Sequence, residues 1–359
     1  MHPLIEITVD GLPVSGLFLS RLLQATVTLK EDKGADTINL ILDAGGPPLL
    51  AVPRKKALIT AAYGYAETGT EFLGAFTVDD VELECFPYQM RITGKSADWR
   101  SNAKEHKERH FDNIDLNGLV TKLAGEMGLT AVVDPEIGSF RPPNGYWFQP
   151  GVSNTHWLES LARRHNALYA HKQGRLLFLK KGSGMTAGGG AIGVYVITPP
   201  QIVKRTMRVQ WSSRDEHKKV RAAWHDRDNA ERKYEEAEGD PEAEATCTLR
   251  HPFGSQQEAK RAADAKAKDL GRNADTVAVT IEGDPRVIAG APLEFEGVHP
   301  DVDASAFVIQ EAQHSYSKKM GYRTGIQGRN PDNAPAKNGH FGGPKIQGAH
   351  PKSGMGYHR

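Results

Sequence analysis

Residues 3 to 95 alternate apolar and polar side chains in short segments that turn-forming residues separate. A period of two is typical of β-strands that bury one face. Asp10-Gly11 marks a tight turn, and the glycines and prolines from 45 to 53 interrupt the pattern. Many short strands with turns between them favour an antiparallel barrel or sandwich over a parallel sheet. The strands predicted in this region are 4–9, 22–29, 56–63 and 74–81.

The period changes to that of helices between about 97 and 181. Asp115 can cap a helix that ends before Gly128, and a second amphipathic helix of about four turns is predicted over 154–169. The end of that helix runs into two apolar segments around a glycine-bearing turn, within 167–180, which predict a hairpin. These elements together predict a small α+β insert. The apolar face of the second helix consists of Trp157, Leu158, Leu161 and Leu168.

Strand patterns resume after residue 191. Within this part, 226–245 carries so many charges and so few apolar residues that we predict an exposed loop or a frayed excursion. Ser255 and Glu258 have the spacing of a capping box, which predicts a helix from there to Gly271. The strands predicted here are 194–198, 204–211, 220–225, 276–282, 292–297, 306–316 and 322–328.

A weak internal echo links the two strand-rich regions. Residues 74–78 and 92–95 resemble 305–309 and 326–329 in sequence and in order. The echo indicates two related barrels on one chain.

The length and composition of the chain limit the classes of function that it can have. A chain of 359 residues suits two or three domains. Lysine and arginine number 45 against 44 aspartates and glutamates, so there is no overall field to gather nucleic acid or anionic lipid. The start lacks a signal peptide and no apolar run approaches 20 residues, so we expect synthesis in the cytoplasm and no membrane insertion. Cys85 and Cys247 have neither disulfide-framework nor zinc-site spacing.

Several residue groups could carry chemistry, and each has a simpler interpretation. Residues 182–187 formally fit a dinucleotide fingerprint, but three glycines and a strand pattern follow where a helix must begin, so we predict a loop. His156 and Glu159 lie one turn apart, whereas His165 and His171 fall off that face, so helix-surface histidines are predicted.

A second group is acidic. The carboxylates could form a pair for glycoside cleavage, but alternation along a strand points some of them into water. No Gly-x-Ser-x-Gly elbow and no His-Glu-x-x-His helix occurs in the sequence. We therefore assign no catalytic, cofactor-binding or metal-binding residue and predict a protein that is not an enzyme. The carboxylates are Asp79, Asp80, Glu82 and Glu84.

The order of these elements resembles a known family. Residues 96–100 follow a strand, 129–133 follow a helix, and Asp284-Pro285 and Ala289-Gly290 occur late in the chain. With the helix and hairpin of 147–181, this order resembles the late control D proteins of contractile phages. These are baseplate hubs similar to R-type pyocin hubs and to the hub part of type VI secretion spikes. The resemblance covers about residues 1 to 330.

The resemblance implies two tube-forming antiparallel β-barrels, an α+β insert and a disordered tail, hence a mainly β (α+β) fold. The expected domains are 1–96 (first barrel), 97–190 (insert), 191–330 (second barrel, with a charged helical excursion at 226–271) and 331–359 (tail). It also implies a structural homotrimer in the virion tail baseplate. Its expected partners are the tail tube protein, the central spike protein, other baseplate proteins and the tape-measure protein. Sequence-specific nucleic-acid binding is not expected.

Two alternatives remain open at this point. A hub could also bind or hydrolyse peptidoglycan through the insert, which would require converging carboxylates or a histidine pair. A free carbohydrate-binding β protein would require aromatic side chains on one sheet face. The tryptophans instead fall on different predicted elements; they are Trp99, Trp147, Trp157, Trp211 and Trp224.

The tail from 331 to 359 is electrostatically separate from the rest of the chain. It carries four basic residues against Asp332 alone, and it is rich in glycine and proline. Such a composition predicts disorder in the isolated chain. We expect it to order on assembly, with Phe341, Ile346, Met355 and Tyr357 as spaced apolar anchors.

Overall fold

Strands predominate in the structure, which confirms the predicted mainly β class. The predicted loop at 182–187, most of 96–100 and most of the tail lie outside the described residues. The computed structural model describes residues 1–14, 20–31, 35–47, 49–96, 105–142, 145–172, 175–180, 193–212, 217–226, 229–240, 243–272, 275–331 and 345–347.

The first barrel is antiparallel, with strand order β3-β4-β7-β6-β5-β1-β2. Apolar residues at alternate positions point inward; Ala25, Val27 and Leu29 of β3 are all buried. The alternation seen in the sequence therefore becomes the core face of this barrel. Its strands are β1 (Pro3–Val9), β2 (Leu12–Pro13), β3 (Leu22–Lys30), β4 (Thr37–Asp43), β5 (Leu58–Tyr65), β6 (Gly69–Glu84) and β7 (Gln89–Ser96).

The insert follows and has its own apolar core. Asp115 caps the first helix and Gly128 ends it with φ +73°, as predicted. The insert contains β8 (His106–Asp112), α1 (Leu116–Met127), β9 (Thr130–Val133), α2 (Pro135–Gly138), β10 (Tyr146–Ser153), α3 (Asn154–Arg164), β11 (Ala167–Lys172) and β12 (Arg175–Lys180).

One prediction in the insert was wrong. The helix predicted over 154–169 ends at Arg164, because Asn166 adopts φ +50° and β11 begins directly afterwards. The charged residues of 106–110 belong to β8, which pairs with β10. Its charges lie on a strand with alternating exposure.

The second barrel continues the sheet of the first. β20 pairs antiparallel with β3, so strands β14-β18-β21-β20 extend the first-barrel order without a break. The two barrels share one hydrophobic core. The second barrel consists of β13 (Val194–Ile197), a 3₁₀ turn (Pro199–Gln201), β14 (Arg208–Trp211), β18 (Asp275–Glu282), β19 (Pro292–Phe295), α5 (Pro300–Asp303), β20 (Phe307–Ser317) and β21 (Gly321–Arg329).

The excursion, described over 217–272, forms a separate three-stranded sheet under one helix. The loop predicted at 226–245 is wrong, because Glu231–Glu238 is a strand paired along its whole length with Lys219–Asp226. Ion pairs Lys219–Glu236 and Lys233–Asp226 compensate the charges across the strands. The elements are β15 (Lys219–Asp226), β16 (Glu231–Glu238), β17 (Thr246–Thr248) and α4 (Gln256–Arg272).

A short piece of the tail is ordered against the second barrel. Strand β22 (Lys345–Gln347) pairs in parallel with β13, and Ile346 packs against the shared core. The tail is therefore not wholly separate from the folded chain. Across the part of the chain described, no helix is both long and apolar enough to cross a membrane.

Candidate functional site

The junction between the two barrels is the candidate functional site of this chain. Along it, Glu311–Ser317 of β20 pair with Gln24–Lys30 of β3, and His314 faces Val27. Main-chain ladders of this length fix the relative position of two sheets. The junction therefore sets the angle and spacing of the barrels.

A buried carboxylate, Asp284, lies at the centre of a polar network behind this ladder. Arg286 donates to its two oxygens at 3.0 and 2.7 Å, and the Tyr195 hydroxyl donates at 2.8 Å. Burial acts to raise the pKa of Asp284, but the hydrogen bonds from Arg286 and Tyr195 outweigh it and hold the pKa below its usual value. Asp284 is thus an ionised structural anchor, and the family-like Asp284-Pro285 pair has a physical role.

His314 is fully buried in the same network. Its Nε2 lies 2.9 Å from the Val287 carbonyl, which can only accept, so Nε2 carries the proton. Its Nδ1 then accepts from the Tyr322 hydroxyl at 2.8 Å. Burial lowers the pKa of His314 to about 4, so the ring is neutral near pH 7.

Tyrosines of the first barrel reach into the second. The Tyr65 hydroxyl donates to the Gly283 carbonyl at 2.9 Å, and the Tyr63 ring meets Tyr322 edge-on at 5.6 Å. A Cβ on Gly283 would lie 2.2 Å from the Tyr322 ring, so only glycine fits there. Burial raises the pKa of Tyr65 to about 12, so it stays a neutral donor.

An ion pair closes the far end of the junction. Arg329 Nη2 of β21 donates to Glu31 Oε2, just past β3, at 2.8 Å. The two residues are 3% and 5% exposed. The barrels are therefore held by a ladder, an aromatic contact and a buried ion pair.

The residues considered for catalysis do not converge. His156 and Glu159 are exposed on α3, whereas His165 packs against Phe140 at 4.7 Å on the opposite side. Burial lowers the pKa of His165 to about 3, with smaller contributions from Arg261 and Arg164. The side chain of His171 lies outside the described residues. Among described residues, no group of three or more His, Cys, Asp or Glu side chains could hold a metal ion.

The four carboxylates considered for glycoside cleavage are all exposed on β6. Asp79 pairs with Lys95, and Glu82 lies 4.0 Å from Arg91. They lie along an open strand and not in a cleft.

Sequence reasoning missed a polar cluster inside the insert. Arg109 of β8 makes a two-pronged contact with Glu126 of α1 at 2.8 and 2.7 Å and also donates to Gln149 at 2.9 Å. The Arg109 hydrogen bonds lower the pKa of Glu126 to about 2, so this glutamate cannot serve as a general acid near neutral pH. Alternation in 106–112 was the signal that could have found it.

An acidic cleft of about 580 Å³ separates the excursion from the second barrel. Glu238, Asp240, Asp264 and Asp275 line it together with Asn330. The basic tail starts directly after this rim, so an acidic surface lies beside it.

Solved structures identify the fold. The 43 kDa tail protein of prophage MuSo2 from Shewanella oneidensis is similar with a TM-score of 0.69 at 14% identity, over 93% of this chain and 100% of that chain. The tail protein from Neisseria meningitidis MC58 has a TM-score of 0.65 at 11% identity, over 92% of this chain and 97% of that one. An Escherichia coli component of the type VI secretion system has a TM-score of 0.51 at 10% identity, over 93% and 80%. The fold is that of phage tail proteins.

Curated relatives carry the identification further, although no protein-family model matches the chain. The probable baseplate hub protein of Escherichia phage 186 is 24% identical over 366 residues, 91% of this chain and 92% of that protein. The probable baseplate hub protein of Escherichia phage P2 is 31% identical over 190 residues, 53% of this chain and 48% of that protein, so the match spans about half of each. The chain is thus similar, over most of its length, to a probable phage baseplate hub protein, which confirms the predicted resemblance to baseplate hubs. Baseplate hub proteins are structural components of the virion tail, in agreement with a protein that is not an enzyme.

Proposed function

We propose that this hub is a homotrimer that joins the sixfold tail tube to a threefold central spike. Its ring would surround the passage through which the tape-measure protein and then DNA leave the tail. The observation that carries the proposal is a strand ladder that occurs twice in the chain, once in each barrel.

In the first barrel the ladder is centred on Val78 of β6. Val78 faces Gly94 of β7, and Gly94 faces Ile38 of β4. A bulge follows directly, between Val78 and Asp80. On its other side the Val78 amide donates to the Ala57 carbonyl at 2.9 Å.

In the second barrel the same arrangement is centred on Ile309 of β20. Ile309 faces Gly328 of β21, which faces Val277 of β18. A bulge again follows, between Ile309 and Glu311. The Ile309 amide donates to the Ala291 carbonyl at 2.9 Å. The echo noticed in the sequence thus corresponds to one barrel plan used twice.

Close packing explains why both ladders need a glycine. A Cβ on Gly94 would lie 3.0 Å from Ile38, and one on Gly328 would lie 2.8 Å from Val277. Both positions therefore resist any larger residue. The correspondence extends across five strands, β3-β4-β7-β6-β5 against β14-β18-β21-β20-β19.

The duplication would allow a trimer of this chain to match both a sixfold and a threefold partner. Three copies of a chain with two equivalent barrels present six similar units, which can match a sixfold ring, while the trimer itself matches a threefold spike. A net charge of +1 also suits a passage that must not retain a polyanion.

Native mass measurement and sedimentation test the oligomer, with and without the co-expressed spike protein. We expect a trimer in at least the second case. Electron micrographs of particles labelled at the C-terminus should then place the label at the baseplate. A chain that stays monomeric beside its spike would contradict the proposal.

A further inference from the structure

The pairing of β3 with β20 has no counterpart between the equivalent strands of the described chain. Inside the chain, β3 covers the edge of β20 after its bulge, at Glu311–Ser317. The equivalent edge in the first barrel is residues 80–84 of β6, after the bulge at Val78. The equivalent of β3 in the second barrel is β14, because β3 pairs with β4 as β14 pairs with β18.

Neither of these two equivalent edges is covered by a described strand. β14 is the last strand on its side of the sheet, and β5 pairs with β6 only over Gly69–Thr77. Both edges carry large apolar side chains into solvent; Trp211 is 53% exposed and Leu83 is 47% exposed. Open edges with exposed apolar side chains are ready-made sites for pairing with another chain.

We propose that β14 of one copy pairs antiparallel with residues 80–84 of the next copy, and that this contact repeats the one between β3 and β20. The inference rests on the proposed trimer and specifies its interface. Such a contact is head-to-tail, since it joins different surfaces of two copies, and three of them close a ring. Each barrel then meets its neighbour in the same way, whether that neighbour lies in the same chain or the next.

The internal contact also fixes the register. Val27 and Val209 are equivalent, because Val27 faces Ile38 and Val209 faces Val277. Ile38 and Val277 hold the same place in the two ladders. Two residues after Val27 on β3 is Leu29, and two residues after Val209 on β14 is Trp211, so Leu29 corresponds to Trp211.

Comparison of β20 with β6 gives the equivalent residues on the second strand of the contact. Counting from the two bulges, His314 corresponds to Leu83 and Ser315 to Glu84. His314 faces Val27 and Ser315 faces Thr26 within the chain. The predicted pairs between copies are therefore Leu83 with Val209, Glu84 with Arg208 and Val81 with Trp211.

The chemistry of these pairs supports the register. Side chains alternate between faces along a strand, so Val81, Leu83, Val209 and Trp211 share one face and form apolar pairs. Glu84 and Arg208 lie opposite each other on the other face, where both are exposed. Within the described residues, neither makes a recorded ion pair. A slip by one residue would set apolar side chains on the polar face.

Charge favours the same partners at longer range. Exposed Lys204 and Arg205 precede β14, whereas exposed Asp80 and Glu82 precede Glu84 on β6. Opposite charges on two surfaces steer encounter and suppress wrong partners.

Charge reversal in the full chain tests the contact. Glu84→Arg and Arg208→Glu should each shift the trimer towards monomer in native mass spectra, and the double variant should restore it. Glu71→Arg is the matched control, because it makes the same change at an exposed residue in the part of β6 that pairs with β5. The control should remain a trimer.

Cysteine trapping tests the register independently. In a chain with Cys85→Ser and Cys247→Ser, the pair Leu83→Cys and Val209→Cys should form disulfides between copies on oxidation. Cross-strand Cβ atoms are close enough for this bond. The slipped pair Leu83→Cys and Gln210→Cys should form none, because those side chains point to opposite faces.

The outcomes separate the two proposals. A wild-type trimer that neither responds to charge reversal nor forms the Leu83–Val209 crosslink overturns the interface and leaves the trimeric hub standing. A wild-type chain that never becomes a trimer overturns both. Equal crosslinking of the matched and slipped pairs overturns the register.

Discussion

Arg329 and Glu31, 298 residues apart in sequence, meet as an ion pair at 2.8 Å in the shared interior of the two barrels. Removing one partner would leave a buried charge without its counter-ion, which costs about 3 to 5 kcal/mol. We expect Arg329→Met alone to lower the free energy of unfolding by about that much in urea denaturation.

A double variant provides the control for this pair. Arg329→Met with Glu31→Leu removes both charges, so most of the lost stability should return. Lys30→Gln, which breaks the partly exposed 3.9 Å pair with Glu311, should cost about 1 kcal/mol or less. A single variant as stable as wild type would mean that water reaches the junction.

Acidification should destabilise the junction through His314. Its pKa is about 4 in the folded chain and about 6.5 when unfolded, so the unfolded chain binds the proton first as the pH falls. Stability is therefore fully present above pH 6.5 and declines towards pH 4, by up to about 1.4 kcal/mol per pH unit. His165, with a pKa of about 3, adds a similar slope, whereas Asp284 contributes only below its usual range.

Urea unfolding at pH 7.5, 6.5 and 5.5 measures this dependence. His314→Phe should be less stable at pH 7.5, because the Val287 carbonyl loses its donor, but its stability should fall less between pH 6.5 and 5.5. An unchanged slope would show that folding does not lower the pKa of His314. His165→Phe separates the second histidine.

The central helix of the insert should be sensitive to cavities. Trp157 is 6% exposed and stacks on Phe111 at 5.9 Å, and Leu161 is 2% exposed. Trp157→Ala and Leu161→Ala should each cost about 2 to 5 kcal/mol. Thermal unfolding measures this. Glu159→Ala, an exposed change on the same helix, should leave the melting temperature nearly unchanged, and equal melting of all three variants would mean that this face is not core.

Local patterns in the sequence predicted local structure well, because caps and periodicity act within a few residues. Asp115 and Gly128 bound a helix as predicted, and the alternating segments became strands. The resemblance to baseplate hubs came from the order of such elements. The resemblance to baseplate hubs was therefore accessible before any contact between distant residues was known.

Long-range pairing could not be predicted in the same way. Nothing local to Val27 or His314 identifies the other as its partner, and a buried histidine looks like any other in sequence. The strand Glu231–Glu238 was missed for a related reason, since its charges are compensated by residues of β15 across the sheet. The repeated ladder could be recognised only in the structure, where the bulges and strand registers of the two barrels can be compared.

The tail should act in spike retention more than in folding. Deleting 332–359 removes β22 and the contact of Ile346 with the core, whereas deleting 348–359 leaves both in place. Since β22 pairs over only three residues, we expect either deletion to leave a folded trimer.

Four basic residues and spaced apolar groups would be lost in the longer deletion, so pull-down of the spike protein should weaken. An electrostatic contribution predicts a larger difference at low salt than at moderate salt. Ile346→Asp in the full chain separates the strand from the charges, because it disrupts packing and keeps the basic residues. Spike retention that is equal for wild type and both deletions at both salts would show that the tail has no part in this contact.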